Sequence, residues 1–483
     1  MSTRRALAFS YLDRYASFVV AVATSMIIAR LLTPTEIGVY SITMVMIGFM
    51  GPFRELGASQ YLIQKKVLTT DVIRSIWAIQ LFLGLALALI IFFSRKIAAS
   101  FYHNSEIGDI MAVLALNSLL IPFGALTMAW LTKQLRFDQL AIIRFGGSIA
   151  GSAGSIYFAW RGHGPISLAY GAFSSTLAMT LISFYYRPKH FPWMPGIKEI
   201  TKVIGFGTSM SGITLLHQAY DGAPELILGR LQGMYATGLF GRAQGLVNLF
   251  EKLVMDSVHS VLLPAFSKLN NEGQSLGDAF VKSVFMITAV GWTMLSFIAV
   301  MAHPAINLLY GSQWNNAVGM TRILCLAMCF ILLIGTCPAL LIAAGRRTNV
   351  LWLAIINVLV QSIVALIGAS MGFEELGWGI MLSSITLSVI SLYVTHSIVQ
   401  FSWDELMTAV RKSLIVAAGA MILPIATALL YSHDPNSTLA PLIIGGIGTV
   451  IGFAIAAKIS NHPIRLDIYN ILIIIKKKAI HAQ

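Results

Sequence analysis

The sequence has few charged residues. Only 11% of its 483 residues are Asp, Glu, Lys or Arg, whereas a soluble domain normally carries about 25%. Hydrophobic residues make up 57% of the chain, and its mean hydropathy is +0.78. Runs of roughly 20 apolar residues, the length that crosses a bilayer as a helix, recur throughout. This pattern excludes a soluble protein and predicts an all-α polytopic membrane protein.

The sequence also lacks the short motifs of common catalytic sites. It has no G-x-x-x-x-G-K-[ST] phosphate loop, no H-E-x-x-H helix and no G-x-S-x-G elbow. The three cysteines, Cys325, Cys329 and Cys337, fall in one apolar stretch, where thiols stay protonated and inert. We therefore predict a protein that is not an enzyme, with no cofactor, metal site or disulfide framework.

Apolar runs between charged, Pro or Gly residues predict about fourteen transmembrane helices. The first is interpreted as a retained helix because Asp13 and Arg14 interrupt it, which a signal peptide would not tolerate. The predicted spans are 8–32, 37–58, 73–94, 107–131, 138–160, 164–186, 203–227, 235–256, 281–301, 317–343, 349–370, 375–399, 413–431 and 440–457. The segment from Ile464 to Ile480 is interpreted as a basic helix on the membrane surface or as a disordered tail.

The net charge of +13 is explained by basic cytoplasmic loops, so no nucleic acid partner is predicted. With a cytoplasmic N-terminus, the outside loops hold only Arg30, Arg95, Lys96, Arg161 and Arg230. The remaining loop cations, including the Lys476-Lys477-Lys478 run, then lie inside. This asymmetry follows the positive-inside rule and predicts that both termini are cytoplasmic.

Two stretches of the sequence match after a shift of 200 residues. Ile27-Ile28-Ala29-Arg30-Leu31 aligns with Ile227-Leu228-Gly229-Arg230-Leu231, and Gly38-Val39-Tyr40 aligns with Gly238-Leu239-Phe240. The repeat predicts two six-helix bundles related by a pseudo-twofold axis, with a substrate site between them. The predicted domains are an N-terminal bundle (1–200), a C-terminal bundle (201–400) and two further helices with a basic tail (401–483).

Polar residues form matching stripes on the first and seventh predicted helices. Positions 14, 17, 21 and 25 map onto 214, 217, 221 and 225 by the same shift. Ionisable residues inside a membrane are costly, so they mark pathways for substrates or ions. We predict a substrate-binding set of Arg14, Arg54, Arg242 and Arg322, and an ion-coupling set of Asp13, His217, Asp221 and Glu225.

Each of these charges also has a structural interpretation. Arg14 and Arg54 could snorkel to the cytoplasmic surface or cap a helix, while Arg242 and Arg322 could snorkel outward. His217 alone would be interpreted as a packed core histidine, and only the neighbouring Asp221 makes it a candidate proton relay. Separately, Gly147-x-x-x-Gly151 and Gly448-x-x-x-Gly452 permit close helix crossings.

Four stretches of the chain resemble the Wzx-type O-antigen and exopolysaccharide flippases of the multidrug/oligosaccharidyl-lipid/polysaccharide exporter superfamily. They are Ala29-Arg30-Leu31-Leu32-Thr33-Pro34 with Gly38-Val39-Tyr40; Phe53-Arg54-Glu55-Leu56-Gly57; Leu228-Gly229-Arg230-Leu231 with Gly238-Leu239-Phe240-Gly241-Arg242-Ala243; and Leu263-Pro264-Ala265-Phe266-Ser267-Lys268-Leu269.

The resemblance implies a bacterial inner-membrane protein with a cationic cavity that moves undecaprenyl-pyrophosphate-linked oligosaccharide outward. The implied partners are the lipid-linked oligosaccharide, membrane lipids, a polysaccharide polymerase and glycosyltransferases. Three alternatives remain open: a cation-coupled drug antiporter of the same superfamily, a membrane enzyme of polysaccharide assembly, and a structural scaffold.

Overall fold

The computed structural model describes residues 3–55, 57–189, 191–250, 255–431 and 438–465, and these residues fold into helices and connecting turns without a strand. This confirms the predicted all-α class. The helices in chain order are α1 (Thr3–Leu31), α2 (Pro34–Gly48), α3 (Gly51–Glu55), α4 (Ala58–Gln64), α5 (Thr70–Phe101), α6 (Ser105–Lys133), α7 (Phe137–Trp160), α8 (Ile166–Tyr185), α9 (Ile200–Leu231), α10 (Gly233–Phe250), α11 (Asp256–Asn271), α12 (Leu276–Val300), α13 (Ala302–Leu309), α14 (Ala317–Ile334), α15 (Cys337–Ala343), α16 (Arg347–Met371), α17 (Phe373–Val399), α18 (Trp403–Ala420), α19 (Ile422–Leu430) and α20 (Leu439–Ile459).

The chain divides into two compact units, Met1–Gly238 and Leu239–Gln483. In the first unit, one cluster of buried apolar side chains includes Ile42 and Ile110, and another includes Ile76 and Trp77. A buried cluster of the second unit includes Phe280 and Leu340. The domain limits at residues 200 and 400 follow the sequence repeat, and they stay predictions.

In the described part of the chain, nine helical segments are long and apolar enough to cross a membrane. Other predicted spans fall on α1, α2, α7, α9 and α10, which carry more polar and small residues, so the count of fourteen stays a prediction. The nine segments are Thr70–Phe101, Ser105–Lys133, Ile166–Tyr185, Leu276–Val300, Ala317–Ala343, Arg347–Met371, Phe373–Val399, Trp403–Leu430 and Leu439–Ile459.

The outer faces of these helices are apolar as well. On α16, Leu359, Ile363 and Leu366 recur at helical spacing and each exposes more than half of its side chain. A soluble protein does not expose a continuous apolar stripe of this kind without a partner. The stripe fits a helix whose outer face contacts lipid, in agreement with a multi-pass membrane protein.

The second predicted span, 37–58, is wrong at its C-terminal end. Helix α2 ends at Gly48, and the chain continues through α3 and α4 instead of one long helix. Pro52 has no N–H to donate to the preceding turn, and Gly57 adopts a left-handed conformation with φ of 65°. Both features stop a helix, so Arg54 and Glu55 lie on the short helix α3.

The start of α2 is fixed by its own sequence. The Thr33 hydroxyl accepts a hydrogen bond from the Glu36 N–H at 3.3 Å, and the Glu36 carboxylate accepts one from the Thr33 N–H at 2.7 Å. Pro34 occupies the first helical position, where a missing N–H costs nothing. The Thr-Pro-x-Glu sequence is therefore a capping box that ends the preceding loop.

Close contact between α2 and α10 occurs at the two glycines of the sequence repeat. A Cβ on Gly38 would lie 2.9 Å from the Gly238 nitrogen and against the Met234 carbonyl. A Cβ on Gly238 would lie 3.2 Å from the Gly38 nitrogen and against the Pro34 carbonyl. Since Pro34 and Met234 are also related by 200 residues, the contact is reciprocal, as a local twofold relation requires. A twofold axis for the complete halves stays a prediction.

Both glycine spacings noted in the sequence lie at close helix crossings. A Cβ on Gly151 would lie 2.8 Å from the Ser175 Cβ on α8. On α20, a Cβ at Gly448 would lie 2.6 Å from the Leu423 Cβ, and one at Gly452 would lie 2.9 Å from the Ala420 Cα. Small residues thus let these backbones approach more closely than any larger side chain would allow.

We expect Gly452→Ala to destabilise the protein by about 1–3 kcal/mol, because the added methyl group meets the backbone of α18. Gly446→Ala is the matched control on the same helix, since its nearest neighbour, Phe297, is 3.9 Å away. Thermal unfolding of the purified variants in detergent measures both effects. Equal unfolding temperatures for the two variants would contradict the close crossing.

A buried histidine follows α20. His462 is fully buried, its Nδ1 accepts a hydrogen bond from the Ile464 N–H at 3.1 Å, and its Nε2 lies 3.4 Å from the Ser413 hydroxyl. Burial and the nearby Lys412 ammonium lower the pKa of His462 from 6.5 to about 4. The ring is therefore neutral at physiological pH.

This histidine should make the protein sensitive to acid. Between pH 6.5 and about 4 the unfolded chain binds a proton at His462 that the folded chain does not, so stability falls as the pH falls through this window. His462→Asn keeps an acceptor for Ile464 and removes the titration. We expect the unfolding temperature of the wild type to fall further than that of the variant between pH 7 and 4.5; parallel curves would refute this role.

Candidate functional site

Helix α9 is the central element of the candidate site in the N-terminal unit. It packs against α2, α3, α4 and α5. Pro224 lies inside α9 and provides no N–H for the hydrogen bond to the preceding turn, one residue before Glu225. The helix is thus weakened at the position where its carboxylate meets α2.

One stripe of α9 faces α2. The Gln218 side chain covers Gly48, and a Cβ on Gly222 would lie 3.5 Å from the Phe49 ring. Further along the same stripe, Glu225 is partly buried and its carboxylate accepts a hydrogen bond from the Ser41 hydroxyl of α2. The 4-3 spacing of these α9 residues explains why they share one face.

The Ser41–Glu225 pair is the best-defined polar contact of the predicted ion-coupling set. It joins residues 184 positions apart in a largely apolar interface between two helices. A carboxylate in such a setting is neutralised by a proton, a cation or a hydrogen-bond donor. The arrangement can therefore bind a proton or a small cation at the α2–α9 interface.

His217 and Asp221 lie next to this stripe on α9. Both side chains are exposed, as is that of Thr214, one turn before His217. They belong to the polar stripe predicted from the sequence, which also includes Glu225. Asp13 and Arg14 lie on α1, and their side chains are outside the described part of the structure.

Arg54 is a partly buried cation in the same unit. It lies on α3, which packs against α5 and α9. Its Nε is buried and has no hydrogen-bond partner among the described residues. A guanidinium is planar and presents donors that match the oxygens of an anion, so Arg54 is a candidate for anion contact.

Arg242 of the second unit packs against two aromatic rings. Its guanidinium lies 5.0 Å from the Tyr310 ring centroid and 5.2 Å from that of Trp314. Tyr310 and Trp314 are themselves buried. Cation–π contacts of this kind compensate an arginine for lost water. They give Arg242 a structural role in holding the 310–314 segment against α10.

Arg322 on α14 is exposed. Its Nε donates a hydrogen bond to the Ala299 carbonyl at 3.3 Å, one residue before the end of α12. A cation at a helix C-terminus interacts favourably with unpaired carbonyls and with the helix dipole. This contact favours a structural role for Arg322 at the end of α12 over substrate binding.

Sequence reasoning did not find Ser41, Tyr310 or Trp314. Ser41 is one of several hydroxyl residues of α2, and nothing in the spacing relates it to Glu225. Tyr310 and Trp314 stand in a loop that gives no sign of contact with Arg242. A charged residue inside a predicted helix was the available signal, and it identified Glu225 and Arg242 but not their partners.

The fold matches solved transporters. The structure of "Lipid II flippase MurJ, inward closed conformation" aligns with a TM-score of 0.75 and 15% identity, over 94% of this chain and 99% of that one. An inward-facing multidrug resistance MATE family transporter of the MOP superfamily aligns with a TM-score of 0.66 and 14% identity, over 79% and 94% of the two chains. The fold is therefore that of a polytopic α-helical membrane protein.

The sequence assigns the chain to a family. The chain belongs to the family described as "Polysaccharide biosynthesis protein", whose model matches residues 27–319. It is 23% identical to the succinoglycan biosynthesis transport protein ExoT of Rhizobium meliloti, over 92% of this chain and 91% of that protein. It is 20% identical to the teichuronic acid biosynthesis protein TuaB of Bacillus subtilis, over 78% and 79% of the two chains. The family resemblance seen in the sequence is thus confirmed.

We expect Ser41→Ala to cost about 1–3 kcal/mol of stability, because it leaves the partly buried Glu225 carboxylate without this donor. In a Glu225→Gln background, Ser41→Ala should lower the free energy of unfolding by at least 0.5 kcal/mol less than in the wild type, because mutations of residues in contact are not additive. Ser118→Ala is the control, since that hydroxyl bonds only to the Leu114 carbonyl of its own helix. Additive effects of Ser41→Ala and Glu225→Gln in thermal unfolding would argue against coupling.

Proposed function

We propose that this protein is a flippase that moves undecaprenyl-pyrophosphate-linked oligosaccharide units across the bacterial inner membrane by alternating access. The units would serve the synthesis of a surface or exported polysaccharide. The observation that carries this proposal is the family match over residues 27–319. A relative named for succinoglycan transport, similar over 92% of this chain, supports a transport step in polysaccharide synthesis.

The cargo is supported by the fold and by the embedded arginines. A fold shared with a protein named as a lipid II flippase is compatible with a lipid-linked substrate. Pyrophosphate carries several charged oxygens, and guanidinium groups bind two of them at once. Arg54, with its unused buried donor, is the strongest candidate for such contact, and we retain Arg14 as a second.

The carboxylates are proposed to couple transport to an ion. The exposed Asp221 and His217 could exchange protons or cations with water, while Glu225 lies deeper against Ser41. Asp13 on α1 is proposed to act with them because it belongs to the matching stripe. Arg242 and Arg322 are proposed to act through their local contacts with Tyr310 and Ala299 rather than on the substrate.

We further propose that both termini are cytoplasmic, as the distribution of Lys and Arg indicates. The partners would be membrane lipids and the lipid-linked oligosaccharide, together with the polymerase that consumes it and the glycosyltransferases that build it. No enzymatic step is assigned to the chain itself, in line with relatives that are named for transport.

A cation-coupled multidrug antiporter is the second candidate. It is favoured by the likeness to a multidrug resistance transporter and by the acidic residues of α9. A membrane enzyme of polysaccharide assembly is the third. If either of these two candidates is right, loss of the protein leaves the distribution of lipid-linked sugar between the two faces of the inner membrane unchanged.

In cells lacking this protein, lipid-linked glycan should accumulate on the cytoplasmic face of the inner membrane. The wild-type gene should restore export, whereas Arg54→Ala and Asp221→Asn should reduce it about tenfold or more, as expected for the loss of a charged hydrogen bond. Arg322→Ala is the control and should export within about twofold of the wild type, with equal amounts of each variant in the membrane. Unchanged sidedness with altered sensitivity to cationic drugs would favour the antiporter.

A further inference from the structure

A cleft lies between the middle of α18 and the C-terminal end of α20. Its volume is about 440 Å³, which corresponds to the space of about fifteen waters at roughly 30 Å³ each. Helix α18 provides Thr408, Arg411, Lys412 and Ile415, and Ile459 and Ser460 come from the end of α20. Both helices lie beyond residue 319, where the family match ends.

The cleft lies at the level where the membrane must end. From Ser413 to Leu430, α18 and α19 contain no charged residue, and α20 contains none from Leu439 to Ala457. These stretches have the length of a hydrocarbon core. Charged residues begin at Lys412 on one helix and Lys458 on the other, so the cleft coincides with the boundary between acyl chains and headgroups.

The cleft is cationic on one side and apolar on the other. The exposed Arg411 guanidinium makes no hydrogen bond or ion pair with the described residues. Lys412 donates to the Asn461 carbonyl at 3.3 Å and has two further N–H groups. Ile415 and Ile459 expose 43% and 74% of their side chains, and no carboxylate is among the six lining residues.

We propose that this cleft binds an anionic phospholipid. The phosphodiester is held by Arg411 and Lys412, and the acyl chains extend along Ile415 and Ile459. Basic pockets between transmembrane helices are known to take such headgroups, and guanidinium is the donor best matched to phosphate. The site is independent of the proposed transport function, and it would fix the C-terminal helix pair to one leaflet.

The test uses the purified full-length protein in a nonionic detergent. Native mass spectrometry measures retention of dioleoyl phosphatidylglycerol and of dioleoyl phosphatidylcholine. We expect phosphatidylglycerol to bind the wild type at least tenfold more tightly. The double variant Arg411→Gln/Lys412→Gln should lose roughly 30-fold in affinity, from about 1 kcal/mol for each basic residue.

The matched control is Arg346→Gln/Arg347→Gln, an exposed pair elsewhere in the same unit that removes the same charge. It should change the affinity less than about twofold, and Arg411→Lys should stay within about threefold of the wild type. Gel filtration and thermal unfolding identify any misfolded variant. If the double variant misfolds, the phosphatidylglycerol affinity of the charge-preserving Arg411→Lys is compared with that of the wild type instead. Equal loss in both double variants, or no loss in either, would overturn the proposal.

Free headgroup distinguishes a lipid site from a soluble-anion site. We expect sn-glycerol 3-phosphate at millimolar concentration to leave bound phosphatidylglycerol in place, because it lacks the chains that contact Ile415 and Ile459. Displacement by glycerol phosphate or by inorganic pyrophosphate would show that the cleft binds soluble phosphates, and it would refute the lipid assignment.

Discussion

Close approach between helix backbones is the interaction on which both units depend. Inside a bilayer the hydrophobic effect does not bring helices together, because lipid chains are as apolar as the side chains that face them. Gly38 and Gly238 let α2 and α10 touch, and Gly151 does the same for α7 and α8. In the second unit, Gly448 and Gly452 perform this role for α20. Each contact replaces side-chain volume with dispersion contacts between backbones.

The same constraint decides where polar groups can lie. A charged group inside the membrane needs a partner or access to water, and the structure provides both. Glu225 meets a hydroxyl, Arg242 meets two aromatic faces, and Asp221 and His217 remain exposed. The embedded charges thus separate into groups that contact another helix or segment and groups whose side chains are exposed.

This separation bears on function because transporters of one fold carry different cargo. The chain aligns with a lipid II flippase and with a multidrug transporter, so the helical framework alone does not select a substrate. Two observations direct the proposal toward a phosphate-linked lipid: the family match, and the buried Nε of Arg54, which has no hydrogen-bond partner in the described part of the chain. The C-terminal helices add a cationic cleft at the membrane boundary, which points to lipid contacts beyond the transported molecule.

The sequence by itself determined that the chain is a polytopic α-helical membrane protein, because the length and composition of an apolar run are local properties. It also determined local helix signals, such as the Thr33 capping box, and the glycine spacings of α7 and α20. Only the tertiary structure decided that Ser41 is the partner of Glu225, that Tyr310 and Trp314 pack against Arg242, and that Arg322 bonds to the end of α12. These partners lie up to 184 residues apart, and folding, not spacing along the chain, brings them into contact.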